Sequence, residues 1–219
     1  ISLLVVFIIP LFSQETPETP TAKPDTTKPK ITLESLTKSS KIFKGMFEFY
    51  QDTLNGSLQM LIKKDQLNKE FIHFVHTLDG VVDVGHFRGA YKSSKIFEIR
   101  KYFNRVEFIA INTSYYFDTN SPLSKASKAN INESVLASVE ILHKDEKTES
   151  ILIKADDIFL SESLYQIKPA PNPNIKPGMR FSLGSLNKKK CQYVSINNYP
   201  LNSDVAIKYV FDNPMPMNR

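Results

Sequence analysis

Four histidines are the first candidates for chemistry, because imidazole binds metals and exchanges protons near neutral pH. His73 and His76 lie three residues apart, a spacing that puts two ligands on one face of a helix. The residues from Phe71 to Val75 are instead typical of a strand, whose side chains alternate between faces. We therefore predict that the two histidines do not share a zinc ion. His86 is predicted in a loop and His143 at a hairpin tip, and neither belongs to the His-Glu-x-x-His pattern of a zinc peptidase.

Nucleophiles give no stronger signal. Cys191 follows three lysines, and neighbouring cations favour a thiolate. It also opens a predicted strand, so we interpret it as a buried structural thiol; as the single cysteine, it forms no internal disulfide. Ser182 and Ser185 flank Gly184 in an order that does not match the Gly-x-Ser-x-Gly elbow of serine hydrolases.

Two groups of carboxylates are candidates for binding a cation. Asp156 and Asp157 are adjacent, and Asp79 and Asp83 bracket a predicted loop. Adjacent aspartates are common in the first turn of a helix, where they face the positive end of its dipole. We interpret the adjacent pair as that feature and predict no metal site in this chain.

The net charge of +5, from 28 basic and 23 acidic residues, raises the question of nucleic acid. Most of these cations are scattered lysines, whereas base readout relies on arginine forks and a clustered binding face. We therefore predict no nucleic-acid partner. Aromatic side chains at Tyr91 and at 115–117 either line a ligand pocket or belong to the core, and we interpret them as core.

The beginning of the chain has the composition of an exported protein. Ile1–Phe12 is apolar except for Ser2 and Pro10, a run too short to span a membrane. We interpret residues 1–13 as a signal peptide that lacks its basic start, although a buried strand is the alternative. Residues 14–40, rich in Thr, Pro and Lys, are predicted to be a disordered tether. Residues 41–219 are predicted to form one β-rich domain whose carboxy-terminal end is truncated.

Alternation of apolar and polar residues with period two dominates from Ile42 to Phe211 and predicts a mainly β fold of eight to ten strands. We expect antiparallel sheets, arranged as a sandwich or an open barrel, with one or two short helices. The predicted hairpins and strands lie at 46–62 (around Asn55-Gly56), 71–76, 95–112, 135–154 and 193–211, with helical turns at 63–70, 122–130 and 156–160 and an irregular loop at 169–178.

Four segments, taken in order, carry a family resemblance: 41–52, with its Gly-Met-Phe-x-x-Tyr opening, 67–72, 100–108 and 153–160. Across Lys41 to Phe211 the chain resembles the amino-terminal, non-catalytic region of large secreted bacterial zinc-dependent metallopeptidases. In that family the peptidase domain follows, with an extended His-Glu-x-x-His-x-x-Gly-x-x-His zinc motif. The resemblance implies that zinc and catalysis belong to that downstream domain. No catalytic or metal-binding residue is carried over to this chain, and its substrate-binding residues stay unassigned.

Two functions remain open from the sequence. In the first, the chain is an accessory region of an exported zinc metallopeptidase, with the downstream peptidase domain and polypeptide substrates as its partners. It would act as a pro-segment, a folding aid or a substrate guide that uses an exposed strand edge. In the second, it is a stand-alone exported β-sandwich that binds a ligand without catalysis. Both place it in the periplasm, on the outer surface or outside the cell.

Overall fold

Ten strands and three short helices form the part of the chain described by the computed structural model, which covers residues 31–82, 85–118, 120–124, 131–170, 173–174 and 182–214. The strands are β1 Ser40–Phe43, β2 Glu48–Asp52, β3 Leu58–Ile62, β4 Glu70–His76, β5 Tyr91–Tyr102, β6 Arg105–Ala110, β7 Ser134–Lys144, β8 Ile151–Lys154, β9 Gln192–Asn198 and β10 Ser203–Lys208. The helices are α1 Leu33–Thr37, a 3₁₀ helix Lys64–Gln66 and α2 Asp156–Phe159. The predicted mainly β class is confirmed.

Eight strands make one antiparallel sheet in the order β1-β2-β3-β8-β7-β6-β5-β4, and β9 and β10 form a separate hairpin. The sheet is strongly curled. Phe47 precedes the second strand in this order and Phe71 lies on the last, yet their ring centroids are only 5.0 Å apart. Curling brings the two ends of the sheet together around one core, as twisted sheets of many strands tend to do.

The core fills the concave side of this sheet. Its buried residues are Phe47, Phe49, Leu58, Met60, Ile62, Phe97, Ile99, Val106, Phe108, Ala137, Val139, Ile151, Ile153, Ala155, Ile158 and Leu164. The β9–β10 hairpin closes the open side, because Tyr193, Ile196 and Val205 pack on this cluster. The inward-facing apolar residues of the strands are therefore enclosed between the sheet and this hairpin.

Helix α1 covers part of the convex side. Thr32 and Ser35 form a capping box at its start, and Leu33 and Leu36 pack on a second cluster made of Tyr50, Leu61 and Leu152. The sequence prediction of a tether as far as residue 40 is wrong for these last residues. One helical turn with two leucines is too short to show a period, but it packs both half-buried leucines against β2, β3 and β8.

One smaller prediction needs correction, and several others lie outside the described residues. The hairpin at Asn55-Gly56 forms, but residues 53–57 make a five-residue connection in which Gly56 takes φ 74°. Predictions for the signal peptide, for residues 14–30, for Asp83, for most of the helix at 122–130, for most of the loop at 169–178 and for residues 215–219 lie outside the described residues.

Candidate functional site

The two histidines of β4 lie on opposite faces of the strand. Burial alternates along β4, so His73 points inward and His76 is exposed on the other face, as the strand spacing predicts. Burial, and then the charge of Lys95 on the neighbouring strand, lower the pKa of His73. Nδ1 of His73 has no hydrogen-bond partner among the residues the structure describes. His73 is therefore a partly buried histidine that favours its neutral form.

The other two histidines lie in different surroundings. Nε2 of His86 is 2.9 Å from the carbonyl oxygen of Ile167, so this histidine joins two loops. His143 lies near the end of β7, beside the turn to β8. Within the described ranges, no three His, Cys, Asp or Glu side chains gather closely enough to hold a metal ion.

Cys191 is a buried residue that contacts both the turn before β9 and the segment after β10. Its thiol donates to the carbonyl of Asn187 at 3.3 Å, and the amide of Val210 donates to its sulfur at 3.4 Å. Two of the preceding lysines are engaged elsewhere, since Lys188 pairs with Asp157 and Lys190 with Asp212. These contacts fit the structural interpretation of the thiol.

The carboxylates Asp156 and Asp157 occupy the first turn of α2. Asp156 is buried and accepts hydrogen bonds from the Leu58 amide at 2.9 Å and from the Tyr193 hydroxyl at 2.8 Å. It therefore joins α2, β3 and the β9–β10 hairpin. Asp79 makes an exposed pair with Arg88 at 3.5 Å.

The serines form no nucleophile elbow, and the prediction that the aromatic residues belong to the core is wrong for the three tyrosines, whereas Phe117 is half-buried. Ser182 accepts from the amide of Gly184, and the carbonyl of Ser185 accepts from Asp212, which are turn contacts. The side chains of Tyr91, Tyr115 and Tyr116 are exposed rather than core, Tyr116 by 91%. Tyr91 is the first residue of β5, and Tyr115 and Tyr116 lie in the connection between β6 and β7. These positions lie outside the core of the curled sheet, and local sequence does not show which positions the sheet will cover.

The feature that the sequence analysis did not locate is the open edge of β4. Among the described residues, β4 pairs with β5 alone, so its other side presents an unpaired edge seven residues long. Ile72 is 75% exposed and Phe74 is 58% exposed on its convex face. The run Phe71–Val75 is apolar on both faces, which is the signal in the sequence for this site.

The direction of the backbone groups along this edge follows from two hydrogen bonds. The carbonyl of Ile96 on β5 accepts from Ile111 at 2.9 Å, so the polar groups of Ile96 point away from β4. Ile72 lies opposite Ile96 and is therefore in a non-hydrogen-bonded pair, with its own N–H and C=O directed to the open edge. The carbonyl of Ile99 accepts from Asn68, which confirms the opposite orientation of the alternate β5 residues. Glu70, Ile72 and Phe74 thus share the outward orientation.

An aromatic cluster lies beside these backbone groups. The ring centroid of Phe74 is 5.4 Å from that of Tyr91 on β5 and 5.9 Å from that of His76. We call Ile72, Phe74, His76 and Tyr91 the edge surface. It offers an extended chain both hydrogen-bonding groups and an apolar face, the two requirements for adding a strand to a sheet.

The opposite edge of the sheet is protected differently. β1 has only four residues, and Lys41 on it lies over the ring of Phe43. The β9–β10 hairpin lies next to β1: Asn198 donates to the carbonyls of Phe43 and Phe47, and Met46 donates to Tyr199. A short strand, a lysine and a covering element are ordinary protections of a sheet edge. By contrast, β4 has seven residues, none of which is a lysine, and among the described residues no strand pairs with its outer side.

Comparisons of the chain with protein-family models, with curated proteins and with solved structures found no match. In the described part of the chain, no helix is long and apolar enough to cross a membrane.

Proposed function

We propose that this chain is a non-catalytic domain that binds extended polypeptide by strand addition to β4. The observation that carries the proposal is the open edge of β4, with Ile72 and Phe74 exposed beside outward-pointing backbone groups. A long, apolar, unpaired edge promotes aggregation unless something covers it. Retaining such an edge is therefore physically reasonable where a chain has to bind there.

The proposed setting is an exported zinc metallopeptidase, as the family resemblance implies. There the domain would guide a polypeptide substrate towards a downstream peptidase domain, which would supply zinc and catalysis. The unordered substrate segments that a peptidase cuts are extended, and extended chains are what a strand edge selects. The setting is tested separately by sequencing the DNA on both sides of the reading frame for a His-Glu-x-x-His motif.

The expected affinity is modest. Glu70, Ile72 and Phe74 offer paired donors and acceptors, and each hydrogen bond contributes about 0.5–1.5 kcal/mol net. Ordering a flexible peptide offsets part of this gain. A dissociation constant between about 1 mM and 1 μM follows, corresponding to about −4 to −8 kcal/mol. Such weak binding suits a guide that has to release its substrate.

The direct test is fluorescence anisotropy with a labelled peptide of alternating valine and threonine. We expect saturable binding to the full chain. The same peptide, N-methylated at every amide, should not bind, because methylation removes the donors on both of its edges. Equal binding of both peptides would refute strand addition.

Substitutions locate the binding edge. Ile72→Lys combined with Phe74→Lys should abolish peptide binding, since lysines on an edge strand oppose pairing. Val135→Lys is the matched control, because Val135 is also exposed but lies on β7, three strands away from β4 in the sheet order. Loss of binding in both variants, or in neither, would contradict the proposed location.

A further inference from the structure

The turn between β5 and β6 holds an aromatic ring in solvent. Phe103 and Asn104 connect the paired residues Tyr102 and Arg105. Phe103 has φ 49°, a left-handed conformation that a bulky side chain rarely adopts. Its side chain is 77% exposed, so core packing does not offset this strain. Strain of this kind is a reason to look for a function.

A second aromatic residue and two cations accompany Phe103. The ring of Tyr102 is half exposed and meets that of Phe103 edge-to-face, with centroids 4.8 Å apart. The guanidinium of Arg105 lies 4.8 Å over the ring of Tyr102, and Lys101 is exposed next to it. Two adjacent rings therefore protrude together with positive charge around them.

Other connections meet at this end of the sheet. The amide of Ile141 donates to Asn104 at 2.8 Å, which joins the β5–β6 turn to β7. Asn68 donates to Ile99, and Gln66 donates to the carbonyl of Met46. Lys64 pairs with Glu149 in the β7–β8 turn. The segments 44–47, 63–69, 101–105 and 144–149 therefore form one end of the molecule, which we call the aromatic end.

Positive charge is in excess at the aromatic end. Its cations are Lys44, Lys63, Lys64, Lys69, Lys101, Arg105, Lys144 and Lys147, and its acids are Asp65, Asp145, Glu146 and Glu149. Two of the cations, Lys64 and Lys144, share Glu149, and Arg105 pairs with Glu107 at 2.9 Å. Lys44, Lys63, Lys69 and Lys101 are exposed, and no salt bridge to them occurs within the described part of the chain. An open depression of about 610 Å³ lies beside Lys63, lined by Leu61, Lys63, Lys64, Asp65, Thr148 and Ser150.

We propose that the aromatic end docks onto an anionic lipid surface, with Phe103 and Tyr102 entering the interface and the lysines facing the headgroups. Aromatic rings flanked by Lys and Arg are the side chains that favour a membrane interface. The cations are spread over several connections around a protruding tip. That spread fits a broad anionic surface better than one pocket of a protein partner.

A tryptophan at the tip reports docking directly, because the chain has no other tryptophan. The full-length variant Phe103→Trp is mixed with vesicles of phosphatidylglycerol and phosphatidylcholine in equal parts. We expect its emission to shift to shorter wavelength and to become less accessible to iodide, whereas pure phosphatidylcholine causes no shift. Tyr116→Trp is the control, since residue 116 is exposed on a connection at the other end of β6. The proposal is overturned if the emission of the Phe103→Trp variant does not shift, or if the emission of the Tyr116→Trp variant shifts by the same amount.

Sedimentation with the same vesicles tests the unmodified tip. Phe103→Gly should lower the partition coefficient about tenfold, the factor for keeping one aromatic ring out of the interface. Lys63→Glu combined with Lys69→Glu should lower it as well, and added salt should weaken wild-type binding by screening. Binding that Phe103→Gly leaves unchanged, or that is equal on both vesicle types, would overturn the proposal. Glycine relieves the strain at this position, so misfolding does not account for a loss.

Discussion

Replacing Tyr193 with phenylalanine should loosen the β9–β10 hairpin from the sheet. The Tyr193 hydroxyl donates to the buried carboxylate of Asp156 at 2.8 Å, and this bond links the hairpin to α2 and β3. Hydrogen bonds to charged groups contribute about 1.5–3 kcal/mol to stability. The variant keeps the ring and its packing on the core, so we expect a loss of about 2 kcal/mol in the free energy of unfolding, set by the bond alone.

The matched control is Tyr209→Phe. The Tyr209 hydroxyl donates to the neutral carbonyl of Phe159 at 2.7 Å, and such a bond contributes about 0.5–1.5 kcal/mol. Urea unfolding followed by circular dichroism measures both variants. With a slope near 2 kcal/mol per molar, the Tyr193 variant should lower the midpoint by about 1 M and the control by about half as much. A Tyr193 variant no less stable than the control would refute the assigned role of Asp156.

The same bond predicts a dependence on alkaline pH. Burial first, and then the neighbouring Asp156, raise the pKa of Tyr193 above its ordinary value near 10. A group whose pKa is raised on folding contributes stability that is complete below its unfolded pKa and is lost as pH rises beyond it. Stability should therefore fall above about pH 10, by about 1.4 kcal/mol per pH unit for this group. The stability of the Tyr193→Phe variant should decrease less steeply with pH than that of the wild type. An unchanged slope would contradict the assignment.

Three further predictions concern other positions. Gly45→Ala should destabilise the fold in urea titrations, because its Cβ would stand 2.7 Å from the backbone carbonyl oxygen of Tyr199; an equally stable variant would show that this loop yields freely. Phe103→Gly should raise the free energy of unfolding by about 1 kcal/mol, because glycine adopts positive φ without strain; a lower thermal midpoint would mean that the ring stabilises the fold. His73→Gln should reduce the loss of stability that the wild type shows as the pH becomes acidic. Burial and Lys95 lower the pKa of His73, so its contribution is complete above its unfolded pKa near 6.5 and is lost as pH falls through its folded pKa. Urea midpoints at neutral and mildly acidic pH measure this difference, and equal slopes for variant and wild type would contradict it.

Much of the candidate site is readable from the sequence, but its position in the sheet is not. The run Phe71–Val75 predicts β4 and the opposite faces of His73 and His76, because alternation is a local property of an extended chain. Whether Ile72 and Phe74 are covered depends on a neighbouring strand. In the described sheet β4 is last in order, and that order is set by pairings far apart in the chain, such as Met60 with Ile153.

The aromatic residues show the same limit. Four aromatic residues of types that are common in protein cores are nevertheless exposed: Tyr102, Phe103, Tyr115 and Tyr116. An aromatic side chain is buried only where another element faces it, and turns at the ends of a curled sheet face solvent. Composition therefore shows how many apolar side chains are available for a core, but it does not show which of them become buried.

The sequence by itself predicted most elements of this protein, the strands β2 to β10 and the short helix at Asp156–Phe159, all of which depend on residues within a few positions. Tertiary structure alone decided which strand became an open edge, which carboxylate was buried to hold the last hairpin, and which lysines gathered at the aromatic end. Those outcomes depend on contacts such as Asp156 with Tyr193, which form only when curling brings distant segments together. A chain encodes periodicity locally, whereas exposure is a property of the surface that the whole fold leaves uncovered.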